Sequence, residues 1–270
     1  MLCLAARAPV CTTAYGKHVA DGFLDELALD ERASVQGVVF DVGANDGEWT
    51  RWLLRRAARR GLPLRRLQVH VFEPQPDYAA GLRALARATD GAVRFHPVAA
   101  ARESSANATF FPSGNPQAAS LVEAIARAYT GGGHGPPRAA LSVRSVNLAA
   151  VMHSALRERP PALFKCDVEG YEYALLARLL VTGALCRVRH LLVEWHLNAL
   201  PPSRRLAGLG LRAAFDALLR DGCGRQDAWQ IEHDEYPENN LGEPVHGLAD
   251  FCARKNTTKY TRWRAVHRSA

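Results

Sequence analysis

Apolar residues along the chain follow two rhythms that replace one another. Short unbroken runs, VVF (38–40), LQVHVF (67–72), ALFKCD (162–167) and HLLVEW (190–195), are rich in β-branched and aromatic residues and bounded by turn-formers, which predicts buried strands. Between them lie segments whose apolar residues share one helical face: EWTRWLLRRAARR, ended by Gly61 and Pro63, then PDYAAGLRALARA, NLAAVMHSAL and YEYALLARLL. VRFHPVA (93–99) predicts another strand, LSVRSV an extended edge segment and AWQIEH a late strand. A helix is expected ahead of the first strand, in GFLDELALDERA, where Phe23, Leu24 and Leu27 fit one face. Another covers about Leu206 to Arg220, between Pro201-Pro202 and Asp221-Gly222.

Strands that alternate with helices predict a parallel sheet covered on both faces, a doubly wound, mostly parallel α/β fold. The alternation falters from 102 to 144, through ATFFPSGNPQAASL, a candidate helix EAIARAY and the loop GGGHGPP. The chain is therefore divided into an N-terminal helical extension, 1–36, and one domain, 37–270, with an irregular insertion around 102–144. In such sheets ligands bind beyond the carboxyl ends of the strands, where strand order reverses.

Composition narrows the function. At 270 residues and 48% hydrophobic content the chain can bury a large core, and no apolar run approaches the ~20 residues of a membrane span. The opening MLCLAARAPVC lacks the layout of a cleaved signal. Cys3, Cys11, Cys166, Cys186, Cys223 and Cys252 form no C-x-x-C pair, so they read as reduced, mostly buried thiols of a cytoplasmic protein. The net charge of +7 is densest in RWLLRRAARRGLPLRR and ARKNTTKYTRWRAVHR. Such a balance admits nucleic acid or acidic glycans as partners. The helical spacing of Arg51, Arg55 and Arg59 reads instead as a solvated helix face.

The predicted strand ends carry Asp41-Val42-Gly43-Ala44-Asn45-Asp46-Gly47, Glu73-Pro74, Pro97-Val98-Ala99, Asp167-Val168-Glu169-Gly170 and Glu194-Trp195-His196. A dinucleotide turn needs G-x-G-x-x-G, whereas Gly43 and Gly47 are separated by three residues and flanked by Asp41 and Asp46. Carboxylates repel a diphosphate and attract a sulfonium or an amino group. Glu73, 26 residues after Gly47, is placed to accept hydrogen bonds from both hydroxyls of a ribose. A positive centre, a ribose and a glycine-floored pocket describe S-adenosyl-L-methionine. Asp41, Gly43, Ala44, Asn45, Asp46, Gly47, Glu73, Pro74, Gln75, Ala99 and Asp167 are the expected cofactor contacts, the glycines because a Cβ would block backbone approach.

FDVGANDGEWT, VFEPQP, Ala118-Ala119-Ser120-Leu121, LSVRSVNLAAVM and FKCDVEGYEYALL followed by LLVEWH resemble the FkbM-type methyltransferases, a branch of the class I S-adenosylmethionine-dependent enzymes. The resemblance runs from about Val38 to His196, and D-V-E-G-x-E is its most specific part. It implies a Rossmann-like sheet of seven strands, S-adenosylmethionine as methyl donor and O-methylation of a hydroxyl on a sugar, glycan or other small molecule. Ser120 matches a serine of the family pattern. The first 35 residues, the GGGHGPP loop and the last 60 residues have no placed counterpart, and acceptor choice is expected there.

Asp167, Glu169, Glu194 and His196 are the expected catalytic set. His196, with an unperturbed pKa near ~6.5, is the candidate base, and Asp167 and Glu169 are expected to diverge because Gly170 already turns the chain. A divalent metal on Asp167, Glu169 and Glu194 is an alternative, but no decisive metal signature is present, so none is assigned. Asp167, Glu169 and Glu172 fit the acidic first turn of a helix as well. Trp195, Trp229 and Tyr236 are candidates for a sugar-binding floor. Competing readings are a methyltransferase of protein or nucleic acid, and a non-catalytic cofactor-binding module.

Overall fold

The structure, a computed structural model, describes residues 17–30, 36–113, 118–123, 138–197, 200–223 and 230–235. Its first half runs α1 (Lys17–Leu29), β1 (Gly37–Val42), α2 (Glu48–Arg59), β2 (Leu67–Phe72), α3 (Pro76–Ala88), β3 (Val93–His96), β4 (Ala99–Ala101) and β5 (Ser105–Phe110). There follow β6 (Leu141–Asn147), α4 (Leu148–Ala155), β7 (Ala162–Cys166), α5 (Glu172–Val181), β8 (His190–Trp195), α6 (Pro202–Cys223) and β9 (Gln230–Glu235).

Six strands form one sheet in the order β3-β2-β1-β7-β8-β9, and every pairing in it is parallel. Alternate residues of β1 feed two cores. Val38, Phe40 and Val42 pack with Leu148 and Met152 of α4, Leu175 and Leu179 of α5 and Phe215 of α6. Val39 packs instead with Phe23 of α1, Leu53 of α2 and Leu82 of α3. This explains why the strand runs are apolar without alternation: both faces are buried. The order reverses at β1, where the chain has built outward through β2 and β3 and then returns on the other side through β7. The β1/β7 junction is thus the switch point at which a ligand crevice is expected.

Among the described residues this sheet has six strands where seven were expected, and three further strands form a second sheet ordered β4-β6-β5. VRFHPVA is two strands, not one, because Pro97 has no N–H to donate and the chain breaks there. Beyond the break, Ala99 pairs with Ser145 in the second sheet. LSVRSV, expected at an edge, is the central strand of that sheet, flanked by β4 in parallel and β5 in antiparallel pairing. The candidate helix EAIARAY lies outside the described residues beyond Glu123, and so do the GGGHGPP loop, the opening MLCLAARAPVC, the basic tail, Trp229 and Tyr236.

Of the arginines read as a solvated face, Arg55 and Arg59 are exposed and Arg51 is half-buried, while two neighbouring arginines are engaged in ion pairs. Arg56 makes a two-point contact with Asp21 (2.7 and 2.5 Å), and Arg60 reaches Asp21 at 2.6 Å and Asp25 at 3.2 Å, so α1 is strapped to α2. Glu26 of α1 also contacts His190 of β8 at 2.7 Å. The thiol reading needs a correction. Cys186 and Cys223 form a disulfide (S–S 2.11 Å) joining the turn after α5 to the end of α6, whereas Cys166 is free and buried. This removes the support that scattered thiols lent to a reducing compartment. Cys3, Cys11 and Cys252 lie outside the described residues. Among the described residues, no helix is long and apolar enough to cross a membrane.

Candidate functional site

The carboxyl ends of β1, β2, β7 and β8 bring most of the expected residues together, but around a residue the sequence reading passed over. Lys165, on β7 and only 3% exposed, directs Nζ to the Gly43 carbonyl (2.9 Å), to Asp41 Oδ1 (3.1 Å) and to Asp167 Oδ2 (3.5 Å). Burial works against its charge, yet Asp41 and Asp167 outweigh that and hold the ammonium well above its ordinary pKa. Asp41 is fully buried and also accepts the Thr50 hydroxyl. Its carboxylate is therefore committed inside the protein. The acidic rim expected to attract a cation is partly neutralised from within.

The glycine turn is shaped by packing. Gly43 and Gly47 have φ of +78° and +83°. A Cβ on Gly43 would lie 1.7 Å from the Asp167 carbonyl oxygen, and one on Gly47 would lie 2.7 Å from Leu82 Cδ2. Glycine is thus required for the close approach of β1 to the β7 turn and of α2 to α3, not only for a ligand. The turn is closed by the Gly43 and Ala44 amides, which both donate to the Phe72 carbonyl (3.1 Å each). Ala44 is buried in the core on the α1 side.

Glu73 ties the second strand end to this turn. Its Oε2 accepts the Asn45 amide and its Oε1 the Gln75 amide, each at 2.8 Å. Burial pushes its carboxyl up to about 7, against the pull of those two amides and of Lys165. Each carboxylate oxygen has a second lone pair, so both remain able to accept a hydroxyl. Gln75 is buried and Pro74 half-buried beside it. Two expected contacts lie elsewhere. Asp46 is exposed and accepts the Glu48 amide (2.9 Å) at the start of α2, and Ala99 sits in the small core of the second sheet with Phe110 and Val143.

At the ends of β7 and β8 four carboxylates surround one imidazole. His196 is 2% exposed. Its Nε2 lies 3.4 Å from Glu169, 3.8 Å from Glu194 and 4.0 Å from Asp167, and its Nδ1 lies 3.4 Å from Glu172. Asp167 and Glu169, expected to diverge, converge instead. The left-handed backbone of Glu169 (φ +52°) and Gly170 (φ +90°) curls the turn back onto the β8 end. Burial opposes a charge on His196, but Glu169 and Glu172 outweigh it and hold its pKa well above the ordinary value. That direction favours the imidazolium form of the residue expected to act as the base. Burial raises the Glu169 carboxyl as well, toward its protonated form, while the facing His196 pulls it back toward the carboxylate. Asp167, Glu169 and His196 also offer one ligand atom each within 4.8 Å of one another, a donor set able to hold a small cation.

Ser120 is buried, accepts the Val122 amide at 3.0 Å, and brings its hydroxyl to 3.5 Å from the Val168 carbonyl, so the insertion does touch the D-V-E-G turn. Trp195 is not a sugar floor: it is 1% exposed and packed between Tyr173 (5.3 Å) and Phe215 (5.5 Å). Sequence reasoning missed Lys165 and undervalued Glu172. A lysine inside the apolar run ALFKC was the available signal, since a buried ammonium must have carboxylate or carbonyl partners.

A family profile described as "Methyltransferase FkbM domain" matches residues 41–218, which reaches past the quoted motifs into α6. Comparison with curated proteins and with solved structures returns no match. The matched span covers more than half of the chain and contains the glycine turn, Glu73, Lys165, the D-V-E-G turn and His196; the chain belongs to the FkbM methyltransferase family.

Proposed function

We propose that this methyltransferase takes its methyl group from S-adenosyl-L-methionine and places it on a hydroxyl of a sugar, glycan or other small molecule. The observation that carries the reading is that Glu73, tethered to the glycine turn, and the carboxylate–imidazole cluster at His196 stand at carboxyl ends of strands on the two sides of the β1/β7 switch point, Glu73 at the end of β2 and the cluster at the ends of β7 and β8. Glu73 fits a ribose: its two oxygens are held apart and oriented by backbone amides, with lone pairs left for two hydroxyls. Asn45, Gln75 and the Gly43–Gly47 turn would hold the rest of the nucleoside. When bound, this cofactor supplies an electrophilic methyl on a positively charged sulfur.

The chain's own residues then supply alignment and a proton acceptor. O-methylation releases one proton from the acceptor hydroxyl, and holding the reacting atoms in line is its largest requirement. Glu169 is the group to take the proton, because a carboxyl raised by burial is better matched to neutral pH than an ordinary one. Nε2 of His196 faces it at 3.4 Å and favours the ionised carboxylate that can accept the proton. Asp167, fixed by Lys165, flanks the pair, and Glu194 closes the far side.

Calorimetric titration tests the reading. S-adenosylmethionine should bind in the micromolar range, NAD should not, and Glu73→Ala should abolish binding. Equal affinity in the variant would remove the ribose clamp. Transfer of a labelled methyl group to oligosaccharides, with RNA and protein as competing acceptors, identifies the acceptor class; label on RNA or protein alone would overturn the small-molecule assignment.

A further inference from the structure

Glu172 lies in the first turn of α5, a position where an acidic residue ordinarily needs no explanation beyond the helix dipole. Its surroundings are not those of a dipole partner facing solvent. The side chain is fully buried, and each oxygen has a defined task. Oε2 accepts the Gly170 amide at 2.6 Å, while Oε1 accepts the His196 amide at 2.8 Å and lies 3.4 Å from His196 Nδ1. One carboxylate thus joins the turn after β7 to the residue after β8, holds the backbone of His196 and lies at ion-pair distance from its ring.

The consequence is directional. An imidazole has two nitrogens on different edges, and occupying one decides what the other faces. With Nδ1 against Glu172, Nε2 is turned toward Glu169, Glu194 and Asp167, the last also in contact with Lys165. The ring has little freedom to leave this orientation, because it is sealed from solvent and its own amide is held by the same carboxylate. Carboxylates that orient a functional imidazole from behind are a recurrent way to fix which nitrogen carries the proton and where it points.

We propose that Glu172 is a positioning residue for methyl transfer: it holds Nδ1–H of His196 and so aims Nε2–H at Glu169, where the acceptor's proton is received. The proposal rests on the O-methyltransfer reading for its purpose, but the clamp itself stands on the contacts above. A merely structural Glu172 would tie the Gly170 and His196 amides and leave the ring indifferent.

The test is nitrogen NMR of the whole protein labelled at histidine imidazoles, with His196 assigned by the resonance missing from His196→Gln. In the wild type, His196 Nδ1 is expected to carry a proton shifted strongly downfield by its carboxylate partner. Glu172→Gln should lose that downfield signal while keeping the wild-type circular dichroism, and Glu172→Asp should recover part of it. An unprotonated Nδ1 in the wild type, or the same downfield signal in Glu172→Gln, overturns the proposal. Should the variants fail to fold, the wild-type Nδ1 state still decides. Calorimetry separates the two readings: wild-type protein that does not bind S-adenosylmethionine yet shows the downfield proton refutes the proposed reaction and not the clamp. Glu172→Gln should bind the cofactor as the wild type does, and lost binding in a folded variant would move Glu172 to the cofactor pocket and overturn the positioning role.

Discussion

Replacing Lys165 by methionine is the sharpest test of how the site is held. Methionine keeps the length and apolar volume of the stem but removes the ammonium that Asp41, Asp167 and the Gly43 carbonyl share at 3.1, 3.5 and 2.9 Å. Asp167 is a quarter exposed and can recruit water, whereas Asp41 is fully buried and retains only Thr50. Removing one partner of a buried ion pair costs about 3–5 kcal/mol, because the other charge is left uncompensated. For a chain of this size, about 2–4 °C per kcal/mol converts that to a fall in Tm of roughly 6–20 °C. Thermal and urea unfolding of Lys165→Met measure it. The cause is isolated by the double variant Asp41→Asn/Lys165→Met, which removes the stranded charge and should be more stable than Lys165→Met alone by more than about 1 kcal/mol. A loss below about 1 kcal/mol in the single variant, or no recovery in the double, would refute the view that this lysine neutralises the turn.

Other consequences of the geometry can be measured independently. Gly43→Ala should prevent stable folding, since its Cβ would meet the Asp167 carbonyl at 1.7 Å, whereas Gly61→Ala, also at positive φ (+70°) but with open space around it, should cost only about 1–2 kcal/mol; similar costs in urea midpoints would refute the packing argument. Glu73, pushed from 4.5 to about 7, stabilises the fold most while protonated, so its contribution is full below about 4.5 and is lost as pH rises through about 7, on the order of 3 kcal/mol. The stability of wild type relative to Glu73→Gln should therefore decline from about pH 5 to about pH 8, and a difference that stays flat would show that the carboxyl titrates normally. Reduction of Cys186–Cys223, which span 37 positions, should destabilise the protein by about 2–4 kcal/mol; an unchanged Tm in dithiothreitol would mean that the cross-link contributes nothing.

What the sequence disclosed and what it hid differ in a physically consistent way. LQVHVF, HLLVEW and PDYAAGLRALARA became elements with the expected bounds, because buried strands and amphipathic helices are specified locally by apolar spacing and turn residues. VRFHPVA failed as one strand because a proline ends a ladder, and the pairing of Ala99 with Ser145, 46 positions away, cannot be read from either segment alone. The same divide runs through the site. Gly43, Glu73, Asp167, Glu169, Glu194 and His196 were visible because they stand at strand ends. Lys165 and Glu172 were not, since their importance lies in partners contributed by other strands: Asp41 from β1 for the lysine, His196 from beyond β8 for the glutamate. Charge explains why both matter. Asp41, Asp167, Glu169, Glu172 and Glu194 crowd one corner where little water reaches, and such a corner persists only if cations or protons share it. Lys165 and His196 are the basic groups that stand among these carboxylates, one against the β1 turn and the other facing the proposed proton acceptor. The residues that make this acidic corner stable therefore also decide which of its carboxylates remains free to react.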